Sequence, residues 1–247
     1  MSKTMDYAIV IPARFESSRL PGKPLIDLCG VPMVVRTFRQ CAKVCPTERI
    51  YVATDHERIA AVCRSNGIQV IETRSDCLTG TDRVAACLKS LNVDILVNIQ
   101  GDEPVFDPAD IRSLLDAAMI NRDQVLCGYC RISDEAQFWD RAVPKVVLRP
   151  DGRLLYMTRG AVPIGKSGRF VDAWRQVCAY VLPGPALESF ALAGGKTPME
   201  KIEDIEILRF LELGWEVRMV ELSDRSFSVD VPADVEIAER LIRDRGL

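Results

Sequence analysis

Hydrophobic residues along this 247-residue chain fall into short runs separated by stretches of helical spacing. Residues 7–12, 49–54, 68–71 and 94–99 are brief apolar runs bounded by turn or polar residues, the pattern of buried strands. Between them Val34, Phe38, Cys41 and Ala42, then Ile59, Val62 and Cys63, then Val84, Cys87, Leu88 and Leu91 recur at helical intervals. Strand alternating with helix implies right-handed crossovers and a mostly parallel sheet between helices, with ligands beyond the carboxyl ends of the strands.

Further along, residues 111–119 carry a helical pattern, after which the order becomes mixed. Residues 125–132, 145–148, 154–157 and 177–182 read as strands separated by Gly and Pro turns, so some antiparallel pairing is expected. Residues 205–213 read as a helix ended by Gly214, 216–221 as a strand, and 232–243 as a helix opened by Pro232. The simplest partition is one α/β domain over residues 1–247, with a mixed-sheet insertion at about 130–200.

Composition narrows the partners. Hydrophobic residues make up 48% of the chain, and 32 Lys and Arg face 35 Asp and Glu, a formal charge of −3 that gives no basic footprint for nucleic acid. No apolar stretch approaches the ~20 residues that cross a bilayer, and residues 1–6 do not read as a secretory leader, so no membrane insertion and a cytoplasmic location are expected. Nine scattered cysteines fit reduced thiols used as small hydrophobes. Cys127 and Cys130 have CxxC spacing, but on a strand they point to opposite faces and no second pair stands at zinc spacing. Cys41 and Cys45 share a helical face and read as packing. His56, the single histidine, reads as a surface residue in the first turn of a helix capped by Asp55.

The candidate chemistry lies after the strands. Residues 12–24 place Arg14, Arg19 and Lys23 on a loop of small and turn residues whose N–H groups can face a triphosphate. The Gly22-Lys23 pair has a Walker A spelling, but Pro24 stands where a magnesium-binding Ser or Thr is needed. After the fourth strand, Gly101-Asp102 puts a carboxylate beside a residue that permits close backbone approach, suited to a divalent cation bridging phosphates. Asp230, before the last helix, supplies a second carboxylate; alone it would read as a helix cap.

Six motifs in order carry a resemblance: Ile11-Pro12-Ala13-Arg14, Ser18-Arg19-Leu20-Pro21-Gly22-Lys23-Pro24-Leu25, Ala53-Thr54-Asp55, Gly80-Thr81-Asp82-Arg83, Gln100-Gly101-Asp102-Glu103-Pro104 and Val229-Asp230-Val231-Pro232. Together they resemble the 3-deoxy-manno-octulosonate cytidylyltransferase (CMP-Kdo synthetase) family from about residue 7 to 245, with sialic-acid-activating enzymes as near relatives. The resemblance implies a nucleotide-diphospho-sugar transferase type α/β fold, a Rossmann-like mixed sheet between helices with a dimerisation insertion. It also implies a homodimer, CTP and a 3-deoxy ulosonic acid as substrates, and Mg2+ as cofactor. By the same resemblance Pro12, Ala13, Arg14, Arg19, Lys23, Arg74, Thr79, Gly80, Arg83 and Asp102 would bind nucleotide. Asp102 and Asp230 would hold the metal; Lys23, Arg19, Asp102 and Asp230 would form the catalytic set. Gln100, Gln176, Tyr180, Glu203 and Glu206 would lie at the sugar acid, helped by segments 156–163 and 197–203.

Two segments depart from the family pattern. Gln176 and Cys178 stand where the family writes His and Gly, and residues 75–79 lack a common His. A neutral amide keeps hydrogen bonding but removes a charge that could face a carboxylate, so the change either redirects acceptor choice or is drift. The leading expectation is activation of Kdo by CTP to CMP-Kdo and pyrophosphate. CMP activation of a related acid (8-amino-Kdo or sialic-type), and a non-catalytic nucleotide-binding module, remain alternatives.

Overall fold

The computed structural model describes residues 5–17 and 19–247. Ser18 of the cationic motif, and residues 1–4 of the segment read for a leader, lie outside the described residues. In chain order the strands are β1 (Tyr7–Ala13), β2 (Asp27–Leu28), β3 (Val31–Pro32), β4 (Ile50–Thr54), β5 (Gln69–Glu72), β6 (Ile95–Ile99), β7 (Val125–Arg131), β8 (Lys145–Leu148), β9 (Leu154–Thr158), β10 (Trp174–Pro183) and β11 (Val217–Glu221). The helices are α1 (Met33–Ala42), α2 (Glu57–Ser65), α3 (Gly80–Leu91), α4 (Pro108–Ile120), α5 (Glu135–Trp139), α6 (Gly184–Leu192), α7 (Pro198–Glu203), α8 (Ile207–Glu212) and α9 (Pro232–Arg245). The chain divides into two compact units, residues 1–112 with 225–247, and residues 113–224. The second unit contains the mixed-sheet segment expected at 130–200 and extends beyond it on both sides.

The first unit holds a parallel sheet in the order β6-β1-β4-β5. Ile9 and Val10 of β1 and all of β6 are buried, as strands covered on both faces require. The chain winds from β1 outward through β4 and β5, then returns to the other side of β1 as β6. The loops leaving β1 and β6 therefore diverge at a topological switch point, where ligands of open α/β sheets bind.

Helix α9 is tied into this unit by its own hydrophobic face. Ala238 and Ile242, four residues apart, join Leu28, Met33, Val105 and Val229 in one buried cluster. The buried Arg36 donates to the carbonyls of Leu28, Cys29 and Leu247, holding the β2–β3 turn and the end of α9. The chain entering α9 is anchored accordingly.

In the second unit, β11 pairs parallel with β7, and β7 pairs antiparallel with β10; β8 pairs antiparallel with β10 and β9. Cys127 and Cys130 are buried free thiols on β7, and burial pushes Cys127 up to about 12. Cys41 lies in α1 and Cys45 just beyond it, both buried. Among the described residues no group of three or more His, Cys, Asp or Glu side chains is arranged to hold a metal, and no helix is long and apolar enough to cross a membrane.

Candidate active site

The loop leaving β1 folds on itself. Pro12 and Ala13 end the strand in buried positions, and the chain then closes through Gly22 N–H to the Phe15 carbonyl at 3.1 Å. Gly22 sits at φ 69°, the left-handed region in which a Cβ is disfavoured. The turn surrounds a hollow of about 500 Å³ lined by Arg14, Phe15, Glu16, Ser17 and Pro21. Phe15 stacks on His56, ring centroids 3.8 Å apart and 13° from parallel, with the Arg58 guanidinium 5.1 Å from its centroid. This clamps the loop to the start of α2. His56 is itself the cap of that helix, its Nδ1 accepting from Arg58 N–H at 3.2 Å, which corrects the expectation that Asp55 caps it. Asp55 turns instead to Arg83.

Lys23, Asp102 and Asp230 meet at the switch point. Lys23 Nζ donates to Asp102 Oδ2 at 2.6 Å and to Asp230 Oδ1 at 3.0 Å, and Arg19 Nη2 donates to the same Asp230 oxygen at 3.2 Å. Two backbone contacts bring the carboxylates together. Val229 N–H donates to the Asp102 carbonyl at 3.0 Å, joining the two loops. Gly101 lies so close to β1 that an added Cβ would stand 2.7 Å from the Pro12 carbonyl oxygen, so only glycine fits beside Asp102. Lys23 is largely buried, its side chain 15% exposed. Burial alone lowers its pKa, but Asp102 and then Asp230 more than offset this, so the net shift is upward and the ammonium is favoured.

The donor set fits a divalent cation. Two carboxylate oxygens converge within 3.0 Å of one cationic atom, the geometry of a charge shared by both. Two protein carboxylates also match Mg2+, which keeps waters and takes its remaining ligands from substrate phosphates.

The candidates between β5 and the first turn of α3 divide into surface and buried groups. Arg74 is exposed and pairs with Asp76. Thr79 caps α3, accepting from Asp82 N–H at 3.1 Å and donating to the Asp82 carboxylate at 2.7 Å. Gly80 leaves room for Gln100, whose Oε1 would stand 2.9 Å from a Cβ there. Arg83 is 2% exposed and donates to Asp55, Thr73 Oγ1 and the Arg74 carbonyl, so it holds the ends of β4 and β5 rather than facing solvent. Asp55 Oδ1 is buried without a hydrogen-bond partner, which leaves an acceptor beside that guanidinium.

In the second unit, Gln176 and Tyr180 form one buried pair. Gln176 Nε2 donates to Tyr180 Oη at 3.1 Å across a bulge in β10. Burial raises the Tyr180 pKa well above 10.0. Glu203 accepts from Thr158 Oγ1 at 2.7 Å, Arg159 N–H at 2.9 Å and Tyr156 Oη at 3.3 Å, so its carboxylate organises the end of β9. Glu206 stands at the start of α8, close enough to Tyr180 to contribute to the rise in its pKa.

Sequence reasoning missed three participants. Phe15 beside the Arg14 cation had no local signal. Asp234 could have been read as the N3 acid of a capping box. Asp55 reads in sequence as a cap and as the end of the Ala53-Thr54-Asp55 motif, neither of which shows that its acidic side chain is the partner that lets Arg83 be buried.

A family model described as Cytidylyltransferase matches residues 8–171. A Myxococcus xanthus 3-deoxy-manno-octulosonate cytidylyltransferase is 38% identical over 96% of this chain and 96% of its own. The Arabidopsis thaliana protein named 3-deoxy-manno-octulosonate cytidylyltransferase, mitochondrial, is 35% identical over 96% of this chain and 83% of its own. A solved CMP:2-keto-3-deoxy-manno-octonic acid synthetase complexed with CTP superposes with TM-score 0.90 at 30% identity, covering 97% of this chain and 99% of that one. A Bacillus anthracis structure titled as a putative glucose-1-phosphate thymidylyltransferase, at TM-score 0.65 and 17% identity, shares the fold. On these matches the chain belongs to the 3-deoxy-manno-octulosonate cytidylyltransferase family.

Proposed function

We propose that the protein couples CTP to Kdo, giving CMP-Kdo and pyrophosphate, as a cytoplasmic Mg2+-dependent homodimer. The observation that carries this reading is Lys23 held between Asp102 and Asp230, with Arg19 on the same carboxylate, where the loops after β1 and β6 diverge. Names of relatives at 35–38% identity over nearly the whole chain support CTP and Kdo as the substrates.

In the reaction the 2-hydroxyl oxygen of the sugar acid gives up its proton to water and bonds to the α-phosphorus, and the bond from that phosphorus to the bridging oxygen of the departing pyrophosphate breaks. No covalent bond to the protein is needed. Arg14, Arg19 and Lys23 supply permanent positive charge along the triphosphate and oppose the negative charge that develops on the departing pyrophosphate. Asp102 and Asp230 would hold Mg2+, which when bound makes a hydroxyl more acidic and neutralises phosphate charge. The Phe15–His56 stack keeps the cationic loop in one place, so less order must be imposed when nucleotide arrives.

Pyrophosphate release with CTP and a panel of Kdo, 8-amino-Kdo and sialic-type acids tests the proposal. Release with Kdo is expected, and Asp102→Asn should lower turnover by orders of magnitude without unfolding the protein. CTP binding without release would favour the nucleotide-binding module. Because Gln176 replaces the family His, preference for a different acid, reversed by Gln176→His, would move the acceptor assignment.

A further inference from the structure

We infer that Asp234 is a positioning residue for the metal carboxylate Asp230. The inference rests on the reading of Asp230 as a metal ligand and extends it to a side chain that touches neither metal nor substrate. Asp234 Oδ2 accepts the backbone N–H of Asp230 at 2.7 Å and that of Val231 at 2.9 Å, while Asp234 N–H donates to the Val231 carbonyl at 3.0 Å.

An aspartate just before a helix is ordinarily drawn back onto the helix's own unpaired amides. The positive end of α9 strengthens that pull. Here the side chain of Asp234, on the first turn of α9, folds back instead onto the two amides that precede the helix. One oxygen holds both amides flanking the entry to the helix and puts a negative charge at its positive end. The backbone of Asp230 is thereby held at the entry to α9, and its Oδ1 faces Lys23 and Arg19. Val229, buried in the core, and its N–H bond to the Asp102 carbonyl fix the other side of the same residue. Without Asp234 the amides of Asp230 and Val231 lose their shared acceptor, and the backbone that aims the Asp230 carboxylate at Lys23 is no longer held.

The test compares Mn2+ binding in the presence of CTP and absence of sugar acid, followed by water-proton relaxation, for the wild type, Asp234→Ala, Asp234→Asn and Asp230→Asn. Each is measured at a temperature where circular dichroism shows it folded. Asp234→Ala should weaken Mn2+ binding about 10-fold, the range seen when an outer partner of a metal ligand is lost. Asp234→Asn, which keeps an acceptor oxygen, should recover most of that affinity. The Mg2+ concentration giving half-maximal turnover should rise in Asp234→Ala with the CTP KM nearly unchanged. A residue that merely caps α9 would lower the thermal midpoint and leave Mn2+ affinity alone. Wild-type affinity in Asp234→Ala, with affinity lost in Asp230→Asn, would overturn the positioning role. Unchanged affinity in Asp230→Asn would overturn the ligand reading itself and the inference with it.

Discussion

Lys23 Nζ lies 2.6 Å from Asp102 Oδ2, and the same nitrogen reaches Asp230 across 207 positions of sequence. The ammonium therefore balances two carboxylates that would otherwise repel. If Asp102 and Asp230 hold the divalent ion as proposed, Lys23 stands where that ion would bind, and metal entry would require Lys23 to move toward the phosphates it is suited to bind.

Replacing Lys23 by Met should expose that repulsion. In chelator the thermal midpoint of Lys23→Met should fall by several degrees, since about 1 kcal/mol shifts a domain of this size by ~2–4 °C. Mg2+ should restore it, whereas the wild type should respond far less. Scanning fluorimetry with and without Mg2+ decides this; equal responses would contradict the account. Because the Lys23 pKa is raised above 10.5, its stabilising contribution is present below that value and is lost as pH climbs through the higher folded value. The alkaline loss of stability should therefore be smaller in Lys23→Met.

Glu203 makes an acid-side prediction for the second unit. Burial pushes its pKa up, but bonds from Arg159 N–H, Thr158 and Tyr156 prevail and hold it below 4.5. Its contribution is complete above the unfolded value and is lost as pH falls through the folded one. Acid unfolding followed by circular dichroism should begin below about pH 4.5 and be shallower in Glu203→Gln. Parallel curves would show that this carboxylate contributes nothing to the acid limb.

Glu200 and Arg209 form a buried ion pair at 2.6 Å, with side chains 0% and 1% exposed, and the guanidinium lies 3.6 Å from the Phe190 ring centroid. Removing one partner strands a charge. Arg209→Ala should destabilise by about 3–5 kcal/mol in urea, while Glu200→Leu with Arg209→Met should cost much less. A double variant as unstable as the single one would mean that packing of the guanidinium, not its charge, dominates.

Much of this arrangement was legible before any coordinates. β1, β4 and β6 are apolar runs because they are buried on both faces, β5 is the edge strand and exposes Gln69 and Glu72, and β8 matches its expected residues 145–148. Helices α6 and α7 escaped because Gly184-Pro185 and Thr197-Pro198 look like turns, whereas here proline occupies a helical first turn, where its missing N–H goes unneeded. The convergence of Lys23, Asp102 and Asp230 depends on strand order, which local pattern does not encode. Family motifs identified those residues, but not the direction in which Arg83 points, because burial of a guanidinium is decided by a distant partner, Asp55.

The central claim is that Asp102 and Asp230 share one divalent ion, and anomalous scattering from crystals of the protein soaked with MnCl2 and CTP tests it most directly. A single manganese peak within bonding distance of a carboxylate oxygen from each aspartate, with Lys23 displaced toward the phosphates, is the expected result. A manganese ion bound by only one of the two, with Lys23 still bridging both carboxylates, would contradict it.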